Sequence, residues 1–200
     1  MLYTMTDQQN PVAEQPAVNK KLRAKKELAE WVETIVSAVV VVVLLFTFCF
    51  RMVGISGDSM MNTLHDQERV ILLSAGYTPH QGDIVVVSRD YMKADKEPII
   101  KRIIATQGQE VYLDCENNQV YVDGVALDEP YIFYEGDPLV EHEIMVENPH
   151  VVKEGHVFVL GDHRDNSHDS RAIGDVDARY ILGRAVLRVF PLNQVAVLTK

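Results

Sequence analysis

From Thr34 to Phe50 the chain carries no charge for about seventeen positions, and the pattern of apolar and polar residues differs on the two sides of this run. A helix spanning the hydrocarbon core of a bilayer needs roughly 20 apolar residues. Trp31 and Val32 at one end and Met52 and Val53 at the other supply that length. Val39 to Val43 is β-branched throughout and would favour a strand in water. The length of the run and its lack of polar positions predict instead one membrane helix, over residues 31–52. Ahead of it, residues 1 to about 18 are polar, contain Pro11 and Pro16 and show little periodicity, which predicts disorder.

After the run the pattern is that of strands. Short apolar segments bounded by turn residues predict strands over 69–73, 84–87, 99–104, 110–113, 119–122, 125–127, 156–160, 180–182 and 185–190. The continuous β-branching of Ile84-Val85-Val86-Val87 predicts burial on both faces of that strand. Residues 128–150 hold Pro130, Gly136, Pro138 and Pro149 among acidic positions and predict an excursion of loops and short strands. No amphipathic helix stands out beyond the membrane run. The predicted architecture is therefore mainly β: a basic and disordered segment over 1–30, a single transmembrane helix over 31–52, and one β-rich domain over 53–195.

Charge adds an orientation. The net charge is -10, yet residues 1–33 hold five Lys/Arg and five Asp/Glu, so the whole acidic excess lies after the run. A nucleic-acid binder should carry a basic footprint, and this chain carries the opposite. Lys20, Lys21, Arg23, Lys25 and Lys26 precede the apolar run and only Arg51 follows it closely, which places the N-terminus in the cytoplasm and the β-rich domain outside. A cleavable signal peptide would have a shorter apolar core ending in a small-residue site. Here the run ends in Thr47-Phe48-Cys49-Phe50-Arg51, so an uncleaved anchor is expected. Cys49 and Cys115 form no disulfide framework and no metal-ligand spacing.

Three polar clusters interrupt the strand pattern. Ser59 lies in Ser56-Gly57-Asp58-Ser59-Met60-Met61, just beyond the anchor, and is a candidate nucleophile that needs a base within hydrogen-bond reach. Lys101 and Arg102 lie inside Ile99-Ile100-Lys101-Arg102-Ile103-Ile104. Strand alternation puts one of these two cations in apolar surroundings. A lysine there loses its preference for the charged form and becomes a usable base, whereas arginine cannot. The alternative is a pair of ordinary edge-strand charges. The third cluster, Gly161 to Arg171, is almost wholly polar and directly follows the apolar segment Val157-Phe158-Val159-Leu160. Loops in that position commonly present functional groups.

Taken together, Ser59 with Met60, Lys101 with Arg102, and Gly161-Asp162-x-Arg164-Asp165-Asn166-Ser167-x-Asp169-Ser170-Arg171 resemble the conserved boxes of type I signal peptidases, in the short Gram-positive form. The resemblance implies a membrane-anchored serine protease with a Ser–Lys dyad on a β-rich fold, which removes signal peptides from exported preproteins without a metal or other cofactor. It implies Ser59 as nucleophile and Lys101 as base. It further implies that Ser167 hydrogen-bonds and orients the lysine ammonium, with Asp169 and Arg171 as a supporting pair. Gly57 stands where Gram-negative members carry a serine that helps the oxyanion hole, so backbone N–H groups, chiefly that of Ser59, are left to hold the oxyanion. Shallow pockets for small residues are expected around Ile55, Leu64 and Ile100. The implied partners are preproteins and the lipid bilayer, with the enzyme acting as a monomer. Asn62 departs from the family, which usually has proline there, and predicts a less rigid turn.

Three competing readings remain. A Ser-His-Asp hydrolase could be assembled from Ser59, His163 or His168, and Asp162 or Asp165. A self-cleaving repressor-type protease shares the dyad but should be soluble with a DNA-binding domain. A catalytically inactive, membrane-anchored homologue acting as a binding or assembly protein would keep the fold without the chemistry.

Overall fold

The computed structural model describes residues 15–88, 98–136, 139 and 144–198, and falls into two units, residues 1–45 and 46–200. The first unit is the larger part of helix α1, Gln15–Cys49. The helix starts before the apolar run, in a stretch predicted to be disordered, because the intervening Leu, Ala, Lys and Glu residues are themselves strong helix formers. Thr34 and Ser37 turn their hydroxyls back to the carbonyls of Glu30 and Glu33, at 2.8 Å each, so the polar atoms at the start of the run are satisfied within the helix. Its segment Arg23–Thr47 is long and apolar enough to cross a membrane.

The second unit is mainly β, in two sheets. The larger contains β1 (Phe50–Gly54), β2 (Arg69–Leu73), β3 (Ile84–Val87), β4 (Ile99–Thr106), β9 (His156–Leu160), β10 (Val176–Asp177), β11 (Ile181–Phe190) and β12 (Ala196–Val197). Its strand order is β1-β2-β11-β3-β4-β9-β10, with β12 also on β11, and every pairing is antiparallel. The smaller sheet is β7-β6-β5-β8, built from β5 (Glu110–Asp114), β6 (Gln119–Val122), β7 (Val125–Ala126) and β8 (His150–Val151).

Two features differ from expectation. Phe50–Gly54, which read as the end of the apolar run, is a strand, because its backbone pairs along the whole of β2. The segments 180–182 and 185–190 form one strand, β11, that passes through Gly183. A Cβ at Gly183 would stand 2.7 Å from the Leu73 carbonyl oxygen, so the glycine permits close approach to β2 instead of ending the strand.

The core lies on both faces of the central strands. Val70, Leu72, Ile84, Val86 and Ile100 pack on one side, with Met60 and Leu64. Val85, Val87, Ile103, Val159 and Val176 pack on the other. All four residues of β3 are buried, as its unbroken β-branching predicts. A third cluster joins the sheets, with Phe158 and Leu160 of β9 against Val111, Leu113, Val120 and Val122. Phe158 is fully buried there. Phe158→Ala should destabilise the domain by about 3–5 kcal/mol, measured by chemical unfolding in detergent.

Candidate active site

Residues after β1 continue along the same hairpin. Ile55 N–H donates to the Glu68 carbonyl at 2.8 Å, and Gln67 N–H donates to the Ile55 carbonyl at 3.0 Å. Gly57 N–H then donates to the Asp66 carboxylate at 3.0 Å, so a side chain supplies the next rung after the backbone partners end. Past Gly57 the chain makes a tight turn in which Leu64 N–H donates to the Met60 carbonyl at 2.8 Å. Met60 and Leu64, one helical turn apart, are both buried in the core. These two apolar pins hold Ser59 at the start of the turn.

Lys101 reaches Ser59 from β4. Its Nζ donates to Ser59 Oγ at 2.6 Å and to the Ile100 carbonyl at 3.0 Å. Lys101 is 3% exposed, paired with β3 at Val85 just ahead of the point where β9 joins the strand at Arg102, so the reading of these cations as solvated edge-strand charges is overturned by their burial. Burial pushes the Lys101 pKa down to about 8, against the opposing pull of Asp169 and Asp162 and with a smaller contribution from Arg171.

Strand alternation allowed one buried cation, and the structure buries both: Arg102 is 2% exposed. Asp162 takes Arg102 Nε at 2.8 Å and Nη2 at 2.7 Å, the Gly82 carbonyl takes Nη1 at 3.0 Å, and the Tyr131 ring centre lies 3.7 Å from its guanidinium carbon. Thr63, four residues after the nucleophile, donates its hydroxyl to the same Asp162 at 2.5 Å. A bidentate pair with every charge satisfied is what makes burial of an arginine tolerable.

The loop after β9 closes the site from behind. Asp169 accepts the Gly161 N–H at 3.0 Å and pairs with Arg171 through Nε at 2.8 Å and Nη2 at 2.9 Å. The two side chains form a buried ion pair, and the Gly161 N–H bond ties it to the start of the loop. Gly161 admits no side chain: a Cβ would stand 2.2 Å from Ser167 Oγ and 2.5 Å from the Ser59 carbonyl oxygen. The hydrogen bond expected between Ser167 and Lys101 is not made. The Lys101 amine is directed to Ser59 and the Ile100 carbonyl, while Ser167 Oγ lies buried against the bare face of Gly161 without a hydrogen-bond partner.

Ile55 (5% exposed) and Ile100 (6%) belong to the apolar cluster beneath the nucleophile. Leu64 belongs to it too and is 0% exposed, packed beneath the surface. The histidine triad is not assembled. Asp162 is engaged by Arg102, and the ring nitrogens of His163 face the Asp58 carbonyl and Asp165, while Ser59 Oγ is held by Lys101.

Three contributors escaped the reading of the sequence. Asp66 sits in a polar turn of the kind where aspartate side chains bond nearby backbone, so local sequence held a weak signal. Glu129 forms an ion pair with the buried Arg164, and Tyr131 covers Arg102; both come from the 128–150 excursion, and nothing in their local sequence connects them to the site.

A serine hydroxyl held against a buried amine of lowered pKa can do the chemistry of a serine hydrolase with a lysine base. Comparisons with known proteins give the family. Residues 28–190 match the family described as signal peptidase, peptidase S26, and the chain belongs to that family. It is 33% identical over 184 residues to signal peptidase IB of Staphylococcus aureus strain Mu50, covering 85% of this chain and 93% of that protein. It is also 33% identical over 184 residues to signal peptidase I S of Bacillus subtilis strain 168, covering 88% and 96%. A crystal structure of a signal peptidase I from Enterococcus faecalis V583 aligns at 26% identity over 54% of this chain and 97% of that one, with a TM-score of 0.44.

Two outcomes are expected from this geometry. With Lys101 acting as the base, peptidase activity should rise with pH through a limb near pH 8, since the neutral amine would then be the reacting form and its share grows as pH climbs past the Lys101 pKa; a kcat/KM profile from pH 6 to 10 measures it. Gly161→Ala should lower kcat by about 10²-fold, because the added methyl must displace the Ser59 carbonyl or Ser167; cleavage kinetics beside a thermal melt separate this from unfolding.

Proposed function

We propose that this protein is a membrane-bound signal peptidase that cleaves N-terminal signal peptides from exported preproteins after small residues, Ser59 being the nucleophile and Lys101 its base. The observation that carries the reading is the 2.6 Å contact between Lys101 Nζ and Ser59 Oγ at a buried amine of lowered pKa. Neutral Lys101 takes the Ser59 hydroxyl proton as Oγ attacks the scissile carbonyl. The proton passes to the leaving amine, giving the acyl-enzyme and the new N-terminus; Lys101 then activates a water that releases the signal peptide. The Ser59 N–H holds the oxyanion. Ser167, buried and unpartnered, accepts a hydrogen from the lysine ammonium once the proton has moved.

The substrate's extended segment pairs with two strand edges, as in β-augmentation. Ile55 and Gly57 turn their backbone groups toward the 65–68 hairpin, so alternation turns those of Ser56 the other way. On β4, pairing with β9 begins only at Arg102, and Ile99 to Lys101 lie ahead of it. The residues just before Pro98, Asp95 to Glu97, fall outside the described residues. Ile55 and Ile100 wall the pockets for small side chains and Leu64 forms their floor. Helix α1 anchors the enzyme with its N-terminus in the cytoplasm, so that the catalytic domain and the signal peptide meet at the outer face of one bilayer.

The deciding experiment is cleavage of a preprotein with an Ala-x-Ala site, in detergent and lipid, by the wild type, Ser59→Ala and Lys101→Ala. Each substitution should reduce kcat by about 10⁴-fold or more with folding intact. Retained activity in Lys101→Ala would place the base elsewhere. A wild-type chain that binds preprotein without cutting it would favour the inactive homologue.

A further inference from the structure

His163 lies in the site loop, and the mechanism above gives it no task. It is nonetheless 5% exposed and makes two contacts to the nucleophile's turn. Its main-chain N–H donates to the Ser59 carbonyl at 3.1 Å. Its ring Nδ1 lies 3.2 Å from the Asp58 carbonyl oxygen, which also accepts the Met61 N–H at 3.0 Å within the turn, so the ring is the second of two groups on that carbonyl and the one that comes from outside the turn. A carbonyl has no hydrogen to give, so Nδ1 is the donor. The other ring nitrogen, Nε2, lies 3.1 Å from Asp165 Oδ1, an electrostatic contact without the alignment of a full hydrogen bond.

The ring is also held from the far side. Phe133 packs edge-on against it with centroids 4.8 Å apart. Phe133 N–H donates to the Asp162 carbonyl at 2.8 Å, and Arg164 N–H to the Phe133 carbonyl at 3.0 Å, so the two segments are bridged on either side of His163. Asp165 Oδ2 accepts the N–H groups of Glu135 and Gly136 at 2.8 and 2.7 Å. Asp165 and Phe133 thus fix the imidazole from behind.

The Asp58 carbonyl belongs to the same planar peptide unit as the Ser59 N–H. Whatever holds the carbonyl end fixes the direction of the N–H end. A hydrogen bond to the carbonyl also polarises the unit and strengthens its N–H as a donor. We propose that His163 is a positioning residue for oxyanion stabilisation: its Nδ1–H holds the Asp58 carbonyl and thereby aims the Ser59 N–H at the developing oxyanion. The inference rests on the reading of Ser59 as nucleophile. It assigns His163 a task distinct from that of a general base, since neither ring nitrogen is turned to Ser59 Oγ.

The test exploits side-chain geometry. In His163→Asn the amide nitrogen stands close to where Nδ1 stood, whereas in His163→Gln it stands nearer the place of Nε2. With the full chain in lipid and an Ala-x-Ala preprotein, His163→Asn should keep kcat within a few-fold of wild type. His163→Gln and His163→Ala should lose about 10²-fold in kcat with KM nearly unchanged, the pattern of an interaction used in the transition state. Affinity for a peptide aldehyde, whose Ser59 adduct carries the tetrahedral oxygen, should fall in parallel with kcat. If Asn is no better than Gln, at equal thermal midpoints, or if the loss lies wholly in KM, the proposal is overturned. Should His163→Gln fail to fold, Asn against Ala makes the same comparison; should His163→Asn fail, the kcat-against-KM split and the aldehyde affinity of His163→Ala against wild type decide it. Ser59→Ala in the same assay separates the two readings: full activity there sinks the dyad, whereas an inactive Ser59→Ala beside equal Asn and Gln variants sinks only the role of His163.

Discussion

A lysine amine is free to accept a proton near neutral pH only where it is kept from holding one already, and the packing around Lys101 meets that constraint. It does so by burial: at 3% exposure Lys101 is cut off from the water that would stabilise its ammonium form. Burial alone would overshoot, since a fully desolvated lysine can lose several pKa units. Asp162 and Asp169 pull in the opposite direction, and the balance comes to rest at about 8. The short contact then sets this amine 2.6 Å from Ser59 Oγ.

Holding charges nearby without neutralising the effect requires that those charges be engaged elsewhere. Asp162 is committed to Arg102 and Thr63, and Asp169 to Arg171 and the Gly161 N–H. Each carboxylate therefore acts on Lys101 through space while bonding to something else. The same bonds are structural. Thr63–Asp162–Arg102 ties the nucleophile's turn, the loop after β9 and β4 into one unit, and Glu129–Arg164 adds the 128–136 segment. Electrostatic tuning and mechanical positioning are thus carried by the same side chains, so removal of any one should disturb both.

Much of this was legible from local pattern. The apolar run, the double-sided burial of Ile84–Val87, the β-rich domain and the three polar clusters all follow from periodicity and residue chemistry, which act over a few neighbouring positions. The misreadings were of a different kind. Phe50–Gly54 looked like a continuation of the apolar run because a strand's partner is not visible in its own sequence. Gly183 looked like a break because a close backbone approach and a turn both select glycine.

The sequence by itself determined that this chain has one long apolar helix, a mainly β domain, and a serine, a lysine among isoleucines and a polar loop available for chemistry; covalent order and side-chain type suffice for that. Only the tertiary structure decided that Lys101 touches Ser59 across 42 positions of sequence, that Arg102 is buried alongside it, that Leu64 is fully buried, and that Ser167 faces Gly161 in place of the lysine amine. The physical reason is that pKa, burial and contact are properties of an environment. That environment is assembled from β4, the turn after β1, the loop after β9 and the 128–136 segment, which meet only when the sheets close.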